Sequence, residues 1–127
     1  MSSRRLLVID DEPDIGSYIA SVAENCGYEA RATERPDTFM SACGEFDPHV
    51  VVLDLAIPDT DGIELLRYLA DIGYPGQVLI LSGFDRRVLE SAERLGRARG
   101  LKMAGTLAKP IRLAELRGTL VSIDTAA

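Results

Sequence analysis

The chain has no excess of basic residues, no cysteine framework, no long apolar run and no glycine-rich phosphate loop. Each absence removes a class of function. Lys and Arg number 14 against 20 Asp and Glu, for a net charge of −6. That balance argues against a nucleic-acid surface, because such surfaces collect cations to neutralise phosphates. The two cysteines, Cys26 and Cys43, form neither a C-x-x-C pair nor a zinc framework. Both read as small apolar residues in a reducing compartment. No run approaches the roughly 18 apolar residues of a membrane span. The run Leu6–Ile9 is too short for a secretory signal and ends at once in Asp10, Asp11 and Glu12. Neither G-x-x-x-x-G-K nor G-x-G-x-x-G follows it, which disfavours nucleotide binding. The only histidine, His49, sits between Pro48 and an apolar run. It marks a strand entry rather than the exposed helical site a phosphodonor histidine needs. The expectation is a cytoplasmic protein with one domain over residues 1–127, long enough for a single core.

What the chain does contain is an alternation. LLVID (6–10), VVVLD (50–54) and VLILS (78–82) are continuous, branched-rich runs, as parallel strands covered on both faces should be. YEARAT (28–33) alternates and suits an outer strand, and LKMAGTL (101–107) is a weaker fifth. Between them apolar residues recur at helical spacing: Ile15, Ile19, Val22 and Cys26; Phe39, Cys43 and Phe46; Leu65, Leu69 and Ile72; Val88, Ala92 and Leu95; Leu113, Leu116 and Leu120. Gly27, Gly73 and Gly100 stand where helix C-caps belong, and Asp61 with Glu64 resembles a capping box. Five strands alternating with five helices predict an α/β fold with right-handed crossovers.

In an open parallel sheet ligands bind beyond the carboxyl ends of the strands. The first strand ends in Asp10 and Asp11, the third in Asp54 and the fourth in Ser82, and Lys109 follows the fifth. An acid after one strand often just caps the next helix, but four strands agreeing is harder to dismiss. Three crowded carboxylates repel, and one would take up a proton unless a cation intervenes. Lys109 offsets part of the charge. Mg²⁺ is the natural complement, since it takes one or two carboxylates, keeps several waters and bridges to phosphate. Asp54 then reads as a nucleophile held at a metal site.

This arrangement, with DLAIPDTDG around the central acid and Lys-Pro at 109–110, resembles the receiver domain of bacterial two-component response regulators over nearly the whole chain. The resemblance implies a flavodoxin-like parallel sheet in strand order 2-1-3-4-5. It implies that Asp54 accepts a phosphoryl group from a sensor histidine kinase or a histidine phosphotransfer protein. Asp11 would ligate Mg²⁺ directly, Asp10 mostly through water, and the Ala56 carbonyl would join them. Ser82 would hydrogen-bond one phosphoryl oxygen and Lys109 would pair with another. Such a protein catalyses its own phosphorylation and hydrolysis rather than turning over a substrate. It signals through a downstream protein, here through a face made by the fourth helix, fifth strand and fifth helix, which also serves a possible homodimer. No nucleic-acid or membrane partner is expected. The Lys109–Pro110 bond should be cis.

The chain departs from that family in three places. Thr106 stands where an aromatic residue often accompanies the Ser82 position as a switch. Ser82 and Lys109 lie further apart than is usual, and the surplus, roughly one and a half helical turns, is expected in the fourth helix. Two positions that would flank the hydrolytic water are Ala56 and Phe84, neither of which can hydrogen-bond it, so slow phosphate loss is expected. The stretch from Leu81 to Pro110 also resembles receivers fused to EAL-type cyclic-di-GMP phosphodiesterases, leaving open a receiver that belongs to a larger output enzyme. A third alternative is an aspartyl-nucleophile phosphohydrolase of the haloacid-dehalogenase type. It wants an acid two residues after the nucleophile, and Ala56 is not one.

Overall fold

Three strands buried on both faces form the middle of the sheet, and the polar residues that end them all emerge at one rim. The computed structural model describes residues 4–56, 62–83 and 86–125. The elements run β1 (Arg4–Ile9), α1 (Pro13–Asn25), β2 (Tyr28–Thr33), α2 (Pro36–Phe46), β3 (Val50–Asp54), α3 (Gly62–Asp71), β4 (Gln77–Ser82), α4 (Arg86–Ala98), β5 (Lys102–Ala108) and α5 (Leu113–Thr125). All strand pairs are parallel, in the order β2-β1-β3-β4-β5. Thus the expected α/β fold and strand order are the observed ones. Among the described residues no helix is long and apolar enough to cross a membrane.

Alternation is hidden inside the continuous apolar runs. Leu7, Ile9, Val51, Leu53, Val78 and Ile80 pack against α2, α3 and α4. Their neighbours Leu6, Val8, Val50, Val52, Leu79 and Leu81 pack against α1 and α5. The register keeps the two sets in phase, with Leu6 beside Val50 and Val52 beside Leu79. Each face therefore has its own core, and a one-residue slip of a central strand would disturb both.

Several boundaries differ from the sequence reading. β1 starts earlier, at Arg4, because the Arg5 N–H donates to His49 Nδ1 at 2.9 Å and the His49 N–H donates to the Arg5 carbonyl at 2.8 Å. β1 ends at Ile9, leaving Asp10 just beyond it. Phe46 closes α2. Cys26 is the half-buried residue after α1, and Ile72 lies past α3, half exposed. The buried stripe of α4 is Leu89, Ala92 and Gly96, while Val88 is largely exposed. On α5, Leu116, Leu120 and Ile123 are buried and Leu113 points outward. In α4 the stripe is turned by about one residue from the expected one, whereas in α5 it is the expected face, carried on to Ile123 with its first residue exposed. Asp61 of the expected capping box lies outside the described residues. Gly27, Gly73 and Gly100 have the positive φ values expected after helices.

α4 has 13 residues, as do α1 and α5. One residue of the long Ser82–Lys109 spacing is a β-bulge in β5. Val78 pairs with Met103, but Leu79 pairs with Gly105, so Ala104 has no partner. Gly105 has φ of +153°, a conformation that L side chains rarely adopt. Plain alternation would put Met103 and Leu107 on the same face. The bulge sends Leu107 to the α1/α5 core and leaves Met103 in the other. It also brings Thr106 level with Ile80, on the α4 side.

Candidate functional site

The carboxyl rim of the sheet gathers charge at close range. Asp10 is fully buried, Asp54 is 1% exposed and Ser82 is 4% exposed. Lys109, partly buried, places its Nζ 2.9 Å from Asp10 Oδ2, 3.2 Å from Asp54 Oδ2 and 3.6 Å from Glu12 Oε1. It donates a hydrogen bond to Asp54 Oδ2. Its approach to Asp10 Oδ2 is an ion pair, and among the described residues that buried oxygen has no other partner. The other carboxylate oxygens are held by backbone. The Glu12 N–H donates to Asp10 Oδ1 at 2.9 Å, and the Ala56 N–H to Asp54 Oδ1 at 3.0 Å.

The backbone fixes these groups relative to one another. The Leu55 N–H donates to the Leu81 carbonyl, tying the end of β3 to β4, and the Lys109 N–H donates to the Ser82 carbonyl. The Asp10 N–H donates to the Thr33 carbonyl on β2. The Lys109–Pro110 bond is cis. At Gly62, which opens α3, a Cβ would lie 2.5 Å from the Leu55 Cα. Only glycine lets the helix start so close to the acid-bearing turn.

Burial pushes the Asp10 pKa up, and the Asp54 charge adds to this. The Glu12 N–H and the Lys109 ammonium pull the other way without cancelling it. For Lys109 burial acts downward, but contact with Asp10 and the charges of Asp54 and Asp10 outweigh it, so its pKa is raised.

Carboxylate oxygens of Asp10, Asp11 and Glu12 lie within 4.8 Å of one another, close enough to share a metal ion. The donor set is all oxygen, as a hard divalent cation requires, and Asp10 Oδ2, held by its ion pair with Lys109, is a candidate ligand atom. Asp10 and Asp11, both expected from the sequence as metal ligands, fit Mg²⁺; Asp54, expected beside them, is not in this cluster, and its third acid, Glu12, is turned to Lys109. The sequence reading passed over Glu12, whose one signal was being the third acid in a row. Ala56 is placed at Asp54 through its N–H. Phe84 lies outside the described residues.

A cleft of about 560 Å³ opens beside the rim between α4, β5 and α5. Ser82, Thr106 and Lys109 line it on one side, and Leu89, Glu90 and Glu115 among others on the rest. Thr106, opposite Ile80, lines this cleft together with Ser82. His49 lies at the opposite end of the sheet, in contact with Arg5.

The response regulator receiver domain model matches residues 6–121. The virulence-factor transcription regulator BvgA of Bordetella pertussis is 34% identical over 93 residues, covering 68% of this chain and 44% of that protein. The DNA-binding response regulator MtrA of Mycolicibacterium smegmatis is 33% identical over 73 residues, covering 57% of this chain and 32% of that protein. The chain therefore spans less than half the length of these curated relatives. Among solved structures, a response regulator from Colwellia psychrerythraea matches with a TM-score of 0.83 at 30% identity, covering 99% of this chain and 100% of that one. The chemotaxis response regulator CheY4 of Vibrio cholerae matches with a TM-score of 0.81 at 18% identity, covering 96% of this chain and 99% of that one; this likeness bears on the fold alone.

Proposed function

Because the chain belongs to the response regulator receiver domain family, the phosphoryl-accepting domain of two-component signal transduction, we propose that Asp54 is its acceptor. The donor is the phosphohistidine of a sensor histidine kinase or a histidine phosphotransfer protein. One observation carries the assignment: Asp54 is the buried acid that ends β3 beside the Ser82-bearing β4 and whose Oδ2 accepts the Lys109 hydrogen bond. Oδ2 attacks phosphorus, the phosphorus–nitrogen bond of the donor breaks, and the leaving imidazole keeps the electron pair and takes a proton. Lys109 yields Oδ2 and pairs with a phosphoryl oxygen, and the Ser82 hydroxyl donates to another. Asp10, Asp11, Asp54 and the Ala56 carbonyl would hold Mg²⁺, which when bound neutralises charge on the phosphoryl group. The transition state spreads charge over several oxygens, so fixed positioning and electrostatics supply most of the catalysis.

Receivers are generally not turnover enzymes, and on this reading Asp54 is consumed by each transfer and restored by hydrolysis. The cleft between α4, β5 and α5 shares Ser82 and Lys109 with the site. That continuity supports this face as the output surface, for a downstream protein or a second copy of the chain. Charge reversal at Arg94 and Arg97 should then weaken association. A second reading makes this receiver the input part of a longer protein, and its support is the incomplete coverage of the relatives.

The deciding experiment profiles phosphoryl transfer from a panel of histidine kinases, with and without Mg²⁺, beside Asp54→Asn. Label should appear only in the wild type with Mg²⁺. Equal labelling of Asp54→Asn would remove the assignment.

A further inference from the structure

Glu12 occupies the N-cap position of α1, yet its side chain makes no capping hydrogen bond. Its backbone is nevertheless fixed on both sides. The N–H donates to Asp10 Oδ1 at 2.9 Å, and the carbonyl accepts from the Ile15 and Gly16 N–H groups at 3.1 and 3.2 Å. From this anchored position the carboxylate, 61% exposed, reaches Lys109, with Oε1 3.6 Å from Nζ. Of the three carboxylates around that ammonium, Glu12 alone is outside the buried core of the site.

The other two have competing duties. Asp54 Oδ2 becomes the bridging atom of an acyl phosphate and can no longer serve as an anionic partner. Asp10, fully buried and paired through Oδ2 with Lys109 at 2.9 Å, also belongs to the acidic cluster that a cation would engage. An ammonium losing both partners would move toward water, since long side chains keep their charged heads solvated when nothing holds them. Glu12 is the remaining anion on its path.

We propose that Glu12 is a positioning residue that keeps the Lys109 ammonium over the site while Asp10 and Asp54 are engaged by metal and phosphoryl group. The inference rests on the phosphoryl-acceptor reading of Asp54. Glu12 touches no reacting atom and acts only through Lys109. It also gives a role to a residue whose place at the helix start would otherwise read as an unused cap.

The chain contains two lysines, Lys102 and Lys109, so ¹³Cε-lysine labelling yields two methylene signals, assigned with Lys102→Arg. Relaxation is measured in saturating MgCl₂, with Asp54→Asn in both samples to remove the second anion, for the wild type and Glu12→Gln. The Lys109 methylene should stay ordered in the wild type and become as mobile as exposed Lys102 in Glu12→Gln. The rate of uptake from acetyl phosphate should fall about three-fold, the scale of a partly exposed ion pair, with unchanged Mg²⁺ affinity. Equal order of Lys109 in the two proteins overturns the proposal, as does a weakened Mg²⁺ affinity, which would make Glu12 a metal ligand instead. The relaxation measurement needs no phosphoryl transfer. A wild type that takes no label thus counts against the Asp54 reading, while the Glu12 contact is judged separately.

Discussion

At the amino end of the sheet His49, Tyr74 and Arg5 each meet a backbone partner, whereas at the carboxyl end Asp10, Glu12 and Asp54 converge on one ammonium. His49 Nδ1 accepts from the Arg5 N–H, the Tyr74 hydroxyl donates to the Pro48 carbonyl at 3.0 Å, and the Arg5 Nε–H donates to the Asp47 carbonyl. These side chains satisfy main-chain groups where strands begin. At the carboxyl rim the balance is left open. Three acids share Lys109, Asp10 is kept partly against its own desolvation, and one of its oxygens has no donor. Polar residues at strand ends therefore do two different jobs. The distinguishing mark is whether their hydrogen-bonding capacity is used up within the fold.

The largest expected effect tests the open end. Asp10→Asn should weaken Mg²⁺ binding about 10–100-fold, the cost typical of losing a group acting through the metal's hydration, as read from the Mg²⁺ dependence of label uptake. The same change should raise stability in metal-free buffer. A carboxyl whose pKa is raised in the folded state holds its proton longer than in the unfolded chain. Its ionisation therefore costs stability as pH climbs above the ordinary carboxylate range, and Asn removes that cost. Urea unfolding at neutral pH measures it, and a destabilised Asp10→Asn would erase the contrast between the two ends.

A smaller effect concerns phosphate lifetime. Ala56→Asn with Phe84→Glu supplies groups able to orient a hydrolytic water, and should speed phosphate loss about ten-fold, at the low end for positioned proton-transfer groups. Timing dephosphorylation in excess Mg²⁺ decides this, and an unchanged lifetime would show that these two positions do not set it. At the closed end, Tyr74→Phe strands the buried Pro48 carbonyl and should cost about 1–2 kcal/mol. It should leave label uptake unaltered.

The smallest effect is chemical. Burial pushes the Cys43 thiol up to about 11, so in the native protein at pH 8 iodoacetamide should label half-buried Cys26 and spare Cys43 until denaturant is added. Because the folded state holds that proton more tightly, Cys43 also makes stability fall as pH rises from the ordinary thiol range through about 11. Native alkylation of both cysteines would show that this core opens more readily than its packing implies.

Much of this was legible in the sequence, for physical reasons that also explain the omissions. β1, β3 and β4 announce themselves because strands covered on two faces tolerate almost nothing polar, so the first polar residue marks the rim. That rule found Asp10, Asp54 and Ser82 without a structure. Glu12 escaped it because its partner, Lys109, is distant in the chain, and locally it looks like an ordinary residue at a helix start. The turned stripe of α4 escaped because Val88 is as apolar as the Leu89 that replaces it in the core. Tertiary packing alone chose between them. The bulge was signalled only by Gly105, a glycine inside a strand, which does not say where the unpaired residue falls.

That bulge also acts as slack in the chain. Residues before Ala104 lead in from α4, and those after Gly105 lead to Lys109 at the carboxyl rim. Removing Ala104 would join Met103 to Gly105, and their partners Val78 and Leu79 are already adjacent in β4. The strand would become regular with the facing of Thr106, Leu107 and Lys109 unchanged. Length differences accumulated on the α4 side can thus be taken up before they reach the lysine. A one-residue difference between Ser82 and Lys109 would then leave the geometry at Asp54 intact.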